Sequence, residues 1–186
     1  MEFNLIRSKR KTLSMELVDG EILVRAPLRA SKREIVRFVE SHSDWIKKQK
    51  QKEAQRKQER ASVKKLTQEE LEDLMKEARA YFPAAVARYA ALMGEEYGSV
   101  TVRCQKTRWG SCSTKRNLNF NCLLMLTPTA VRESVVVHEL CHLKEMNHSE
   151  RFYERVYRFC PDYDRQNRWL KEHGPMLLYR LPEKNR

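Results

Sequence analysis

The sequence predicts an α+β fold in which a small antiparallel sheet packs on one histidine-bearing helix, with a β-hairpin and helix ahead of them. Three observations predict it. Val100–Cys104 and Asn117–Leu123 alternate in strand fashion around an irregular piece, Arg108–Ser113. The pentad His138-Glu139-Leu140-Cys141-His142 lies in a segment whose apolar residues recur at helical spacing. Near the start, alternating residues flank the turn dipeptide Asp19-Gly20.

Taken in order, Thr12–Val18 and Glu21–Ala26 form the two arms of the hairpin, and Pro27 ends it. Ser31 caps a short helix that opens with Lys32–Glu34 and carries Ile35, Phe38 and Val39 toward Trp45 and Ile46. Thr67 and Glu70 match a capping box opening an amphipathic helix with Leu71, Leu74, Met75 and Ala78 on one side. Pro83 is expected to kink or split that helix before Val86, Tyr89, Ala90 and Met93. Pro128 stands near the start of the helix that delivers His138. Val136, Leu140 and Leu143 form its apolar face, His138, His142 and Glu145 another, and Asn147 suits its C-terminal end. Beyond Ser149, a fitting N-cap, Phe152, Val156 and Phe159 mark a further helix, and residues 162–172 another. No internal repeat is visible. The organisation expected is an N-terminal hairpin and helix over 1–46, a basic helical connector over 47–66, and a hydrolase domain over 67–186.

At 186 residues with 41% hydrophobic composition, the chain can bury a sizeable core. No uninterrupted apolar run exceeds five residues, so no membrane partner is expected. The first residues, Met1–Arg7, lack the apolar stretch of a secretory signal, and five cysteines without a Cys-x-x-Cys pair fit reduced thiols. Cytoplasmic residence is the expectation.

The formal net charge is +12, and its distribution matters more than its size. Between Lys47 and Lys65 nine Lys and Arg face only Glu53 and Glu59, a surplus of seven out of the twelve. Lys47–Arg60 is rich in helix-forming residues and has no apolar stripe, which fits a solvated helical connector. Weak nucleic-acid contact through Lys47–Lys65 is the sharper alternative; a charge run alone carries no base-reading or stacking group.

The pentad carries the chemistry. Residues i and i+4 of a helix share a face, so His138 and His142 can reach one ion, and Glu139 can face a water bound to it. Chance predicts roughly 0.02 such His-acid-x-x-His matches for this composition. His148, six residues past His142, supplies a third imidazole. Three protein ligands with one open position is the catalytic arrangement of zinc, whereas structural zinc is closed by four. The expected metal is therefore Zn2+, held by His138, His142 and His148, with Glu154 as the runner-up for the third place. Ligating imidazoles need partners on their other nitrogens, and Glu145, Glu154 and Asp162 are the available carboxylates. His42 and His173 are expected on the surface.

With those residues in place the chain resembles the YgjP-like metallopeptidase family, relatives of the SprT-like and WLM zinc proteases. Val135–Leu143, Asn147-His148-Ser149 and Phe152 carry the resemblance, with Arg108-Trp109-Gly110-Ser111-Cys112 upstream and Pro161-Asp162-Tyr163 downstream. It spans about Ile6 to His173. It implies a zincin-like core, His138, His142 and His148 as zinc ligands, and Glu139 as catalytic base.

Arg108 is the second candidate catalytic residue, placed to stabilise negative charge developing in a transition state. Trp109 is read as a core anchor and Gly110 as a turn residue with positive φ, the alternative being that Gly110 lets backbone approach the substrate. Cys104, Cys112, Cys122 and Cys141 are irregularly spaced and read as small buried hydrophobes rather than a second metal site. Three functions follow in order. The first is a zinc metallopeptidase acting on a peptide or protein, with substrate extended along a sheet edge. The second is a pyrophosphatase of a nucleoside triphosphate such as UTP, an assignment that also exists within the resemblance; Lys106, Arg108, Lys115 and Arg116 would suit its polyphosphate. The third is a nucleic-acid-associated module with weak hydrolase activity.

Overall fold

A computed structural model describes residues 2–18 and 20–182. The chain divides into two compact units, 1–62 and 63–186. Among the described residues no helix is long and apolar enough to cross a membrane.

In the first unit, strands β1 (Asn4–Ser8), β2 (Ser14–Val18) and β3 (Glu21–Pro27) form a sheet in the order β1-β3-β2. β2 and β3 are the expected hairpin, antiparallel with Val18 opposite Glu21, and Gly20 in the turn takes φ +84°. β1 pairs parallel to β3 and was not expected, because every one of its residues is exposed and none alternates in burial. One face of β3, Ile22, Val24 and Ala26, is buried together with Ile35 and Val39 of α1 (Lys32–Ser41) and Ile46 of α2 (Ser43–Ser62). Ser31 and Glu34 close a reciprocal capping box at the start of α1. The basic stretch is helical only as far as Ser62, so Lys64 and Lys65 lie beyond the helix, and α2 begins at Ser43, so Trp45 and Ile46 lie on it. Ile46 is its one buried residue among those described, which leaves the Lys and Arg side chains of the helix in solvent.

The second unit holds α3 (Gln68–Met93), β4 (Val100–Arg103), β5 (Gly110–Cys112), β6 (Leu118–Asn121), a 3-10 turn (Cys122–Leu126), α4 (Thr129–Cys141), α5 (Glu150–Phe159) and α6 (Tyr163–Tyr179). Thr67 and Glu70 form the predicted capping box, and Gly94 ends α3 in the left-handed conformation at φ +65°. α3 is not split at Pro83. That residue is exposed on a helix whose neighbours Phe82, Ala85 and Val86 are buried, and their packing holds the turn that lacks the Pro83 N–H. The sheet is mixed rather than antiparallel throughout. Its order is β4-β6-β5, with β5 antiparallel to β6 across the reversal at 113–117 and β4 parallel to β6. Residues 104–117 give the chain enough length to cross between the parallel pair. Part of the piece expected to be irregular is therefore the edge strand β5.

The core fills between α3, the sheet and α4. Phe82 stacks on Phe120 with ring centroids 4.7 Å apart and 3° between planes, and Leu118, Leu123, Leu124, Val136 and Leu140 are buried with them. α4 is buried nearly all round, not along one stripe: Val135, Val136 and Val137 are all inside. Near-complete enclosure fixes both the rotation and the axial position of the helix that carries the pentad.

Candidate metal centre and cleft

α4 ends earlier than expected. Its last residue is Cys141, His142 occupies the C-cap, and Asn147 lies beyond it in the loop to α5. The helical turn from 138 to 142 is nevertheless complete, since the His142 N–H donates to the His138 carbonyl. His138 and His142 therefore share a face, and the loop brings His148 back to them. Nε2 of His138 lies 3.1 Å from Nε2 of His142 and 3.2 Å from Nε2 of His148. One ligand atom from each residue falls within 4.8 Å of the others, and this three-histidine group is the metal-capable cluster found among the described residues. Glu154 is exposed and outside it.

For His138 and His142, the partner on the far side of the ring decides what the near side offers. Nδ1 of His142 is 2.9 Å from the Glu145 carbonyl, which only accepts, so Nδ1 carries the proton and Nε2 a bare lone pair. Nδ1 of His138 is 2.8 Å from the Tyr163 hydroxyl. Burial, then the neighbouring imidazoles His142 and His148, pushes His138 down to about 3, and burial lowers His142 too. Both rings are held neutral, the form that ligates. Nitrogens bound to one zinc at about 2.0–2.1 Å lie about 3.3 Å apart, close to the two separations from His138, and all three ligand atoms lie within 4.8 Å of one another. The donor set fits zinc. Phe152, fully buried, packs against all three imidazoles with centroids 4.9, 4.6 and 4.8 Å away and forms an apolar floor.

None of the three carboxylates considered as imidazole partners takes that place. Glu145 contributes its backbone oxygen, and the partner of His138 is Tyr163, buried at the start of α6. Pro161-Asp162-Tyr163 carried a motif-level signal, yet nothing in the spacing pointed a phenol at an imidazole 25 positions away.

Glu139 follows His138 on the same turn and lines the same cleft. It is 5% exposed, and burial raises its carboxyl to about 8. Gly110 on β5 lies directly against it: a Cβ added there would stand 2.5 Å from Oε1 of Glu139 and 2.8 Å from its Cγ. Gly110 does not have positive φ, contrary to expectation. Its place is dictated by close approach of the edge strand to the carboxylate. Trp109 is half-buried against the core, and a Cβ on Gly174 of α6 would meet its Cζ2 at 2.9 Å.

A cleft of about 240 Å³ joins these groups; Arg108, Gly110, His138, Glu139, Tyr163 and Asn167 are among its lining residues. Arg108 is exposed and reaches the cleft from the loop before β5. Of the four cations considered for polyphosphate, it alone lines this cavity. Arg116, held at φ +62°, donates to the Glu96 and Leu143 carbonyls and pairs with Glu95. Glu95 is buried and also meets Lys144 at 3.3 Å and Arg155, joining α3, α5 and the loop after His142. That hub was not foreseen, since Glu95 and three cations at positions 116, 144 and 155 give no spacing signal. His42 and His173 are exposed, as expected.

Two solved structures are similar in part: the metallopeptidase zymogens of Pyrococcus abyssi abylysin and Methanocaldococcus jannaschii jannalysin. They are 18% and 17% identical, each covers 50% of this chain and 95% or 96% of its own, and each gives a TM-score of 0.45. No curated protein matches the chain at a significant level. The family described as YgjP-like, metallopeptidase domain, matches residues 11–72 and 58–173. That match takes in most of the sequence, including the pentad, His148 and the Arg108–Cys112 segment, and the chain belongs to the YgjP-like metallopeptidase family of zinc-dependent hydrolases.

Proposed function

We propose that the protein is a zinc metallopeptidase in which His138, His142 and His148 hold the metal and Glu139 is the general base. The observation that carries this reading is the convergence of three imidazole Nε2 atoms, with one of those imidazoles, His138, lining a cleft together with the buried carboxylate of Glu139. Zinc supplies a Lewis acid for the scissile carbonyl and brings the pKa of water from about 15.7 toward about 7. Glu139 takes a proton from the attacking water on a carboxylate oxygen and returns it to the departing amine nitrogen. Burial raises the carboxyl of Glu139, which strengthens it as a proton acceptor. Tyr163 fixes the ring of His138, and the Glu145 carbonyl fixes that of His142.

β5 is an edge strand against the base, and a peptide extended along Gly110–Cys112 brings its backbone to Glu139 without side-chain obstruction at Gly110. Arg108 supplies a guanidinium to the oxygen that gains charge. The single cleft-lining cation fits a neutral amide better than a triphosphate, which would call on several. Glu139→Gln tests the reading. The zinc content of the purified variant should equal that of the wild type, while hydrolysis of a quenched-fluorescent peptide library falls by about 10²–10⁴. Turnover at the wild-type rate would reduce Glu139 to a structural neighbour.

A further inference from the structure

We propose that Cys104 and Cys122 are a thiol-disulfide modification site: a small-molecule disulfide of the glutathione class oxidises them to a bond that staples the base of the cleft loop. Their Sγ atoms are 2.7 Å apart. The pairing of the strands places them there, because Arg103 of β4 lies opposite Asn121 of β6 in parallel register and the two cysteines are the residues immediately after the two strands. Adjacent strands lie about 4.7–4.9 Å apart, within the Cα separation of 4.4–6.8 Å that disulfides use, so the bond needs no large backbone movement.

The two thiols are unlike in access. Cys104 is exposed and Cys122 is fully buried. Burial, together with the hydrogen bond to Cys104, pushes the Cys122 thiol upward, so Cys104 is the sulfur that meets an external oxidant. Cys104 as thiolate attacks one sulfur of the oxidant and releases one small thiolate, leaving a mixed disulfide. Cys122 then gives up its proton and attacks the Cys104 sulfur, releasing the second small thiol. Two protein thiols are oxidised to one disulfide, and one small disulfide is reduced to two thiols.

The bond lies where it bears on the cleft. Cys104 opens the loop that carries Arg108 and Trp109 to β5, and the Asn121 side chain, one residue before Cys122, donates to the carbonyls of Gln105 and Arg108, both at 2.8 Å. Three cysteines stand apart from the pair, of which Cys141 is buried and Cys112 and Cys160 are half-buried.

The test incubates the full-length protein with oxidised glutathione and maps products by mass spectrometry. The expected product has lost two hydrogens, carries a 104–122 cross-link, and reverts with dithiothreitol. Closing a loop of this length should raise Tm by about 5–10 °C and slow amide exchange over 104–109. Cys104→Ser, an exposed change, should abolish the product and the Tm rise, while Cys160→Ser should leave both. Free thiols at both positions after equilibration with excess oxidised glutathione would overturn the proposal, as would a cross-link between other cysteines. A 104–122 bond without change in Tm or loop exchange would overturn the stapling.

Discussion

Replacing Gly110 by Ala puts one methyl group against the proposed base. The new Cβ would lie 2.5 Å from Oε1, 2.8 Å from Cγ and 2.9 Å from Cδ of Glu139. Ordinary contact begins at 3.4 Å, so relief requires a relative movement of about 0.9 Å. Glu139 is 5% exposed and cannot swing aside into solvent; the shift must come from the carboxylate or from β5. Misplacement of a reacting group by about 1 Å costs on the order of 10² in rate, or about 2.7 kcal/mol. Overpacking costs a further 1–3 kcal/mol or so of stability. Backbone strain adds nothing, because φ at Gly110 is not positive. The assay is steady-state peptide hydrolysis on the folded, zinc-loaded variant beside urea unfolding. The expectation is kcat lowered about 100-fold with zinc content unchanged. Wild-type kcat in a folded Gly110→Ala protein would refute the placement of Glu139 at the reacting atoms.

Two further outcomes follow from the same geometry. Tyr163→Phe keeps the ring stacked near His138 but removes the hydroxyl from Nδ1, and zinc affinity measured by chelator competition should fall by about 10–100-fold; unchanged affinity would show that the ring alone orients His138. Arg108→Ala should lower turnover of a peptide with little change in KM, by about 2.7–4 kcal/mol if Arg108 acts as an oxyanion donor; a rise in KM without loss of kcat would make it a ground-state binder.

The convergence of the three histidines was legible because their spacing is local. The relation of i to i+4 within one helix survives any error in tertiary arrangement, and His148 follows six residues later. The partners of those imidazoles were not legible. Tyr163 reaches His138 from α6, and a backbone carbonyl, which every residue has, serves His142. Of the two readings of Gly110, the preferred one, positive φ, fails: a glycine gives the same letter whether it is needed for left-handed backbone or for room, and only the proximity of Glu139 distinguishes them. Strand direction was likewise invisible, since alternation along β4 and β6 is the same for parallel and antiparallel pairing. β1 gave no signal because both its faces are exposed, and α3 ran through Pro83 because buried neighbours outweighed a local rule.

The most direct test is the zinc content of the purified chain set against that of His148→Ala and His142→Ala. His148 is exposed, so its loss leaves the core intact. Elemental analysis should find one zinc per wild-type chain, with X-ray absorption showing nitrogen ligands at about 2.0–2.1 Å. Both variants should lose the metal on dialysis while remaining folded by circular dichroism. Equal zinc in wild type and variants, or sulfur among the ligands, would contradict the three-histidine centre.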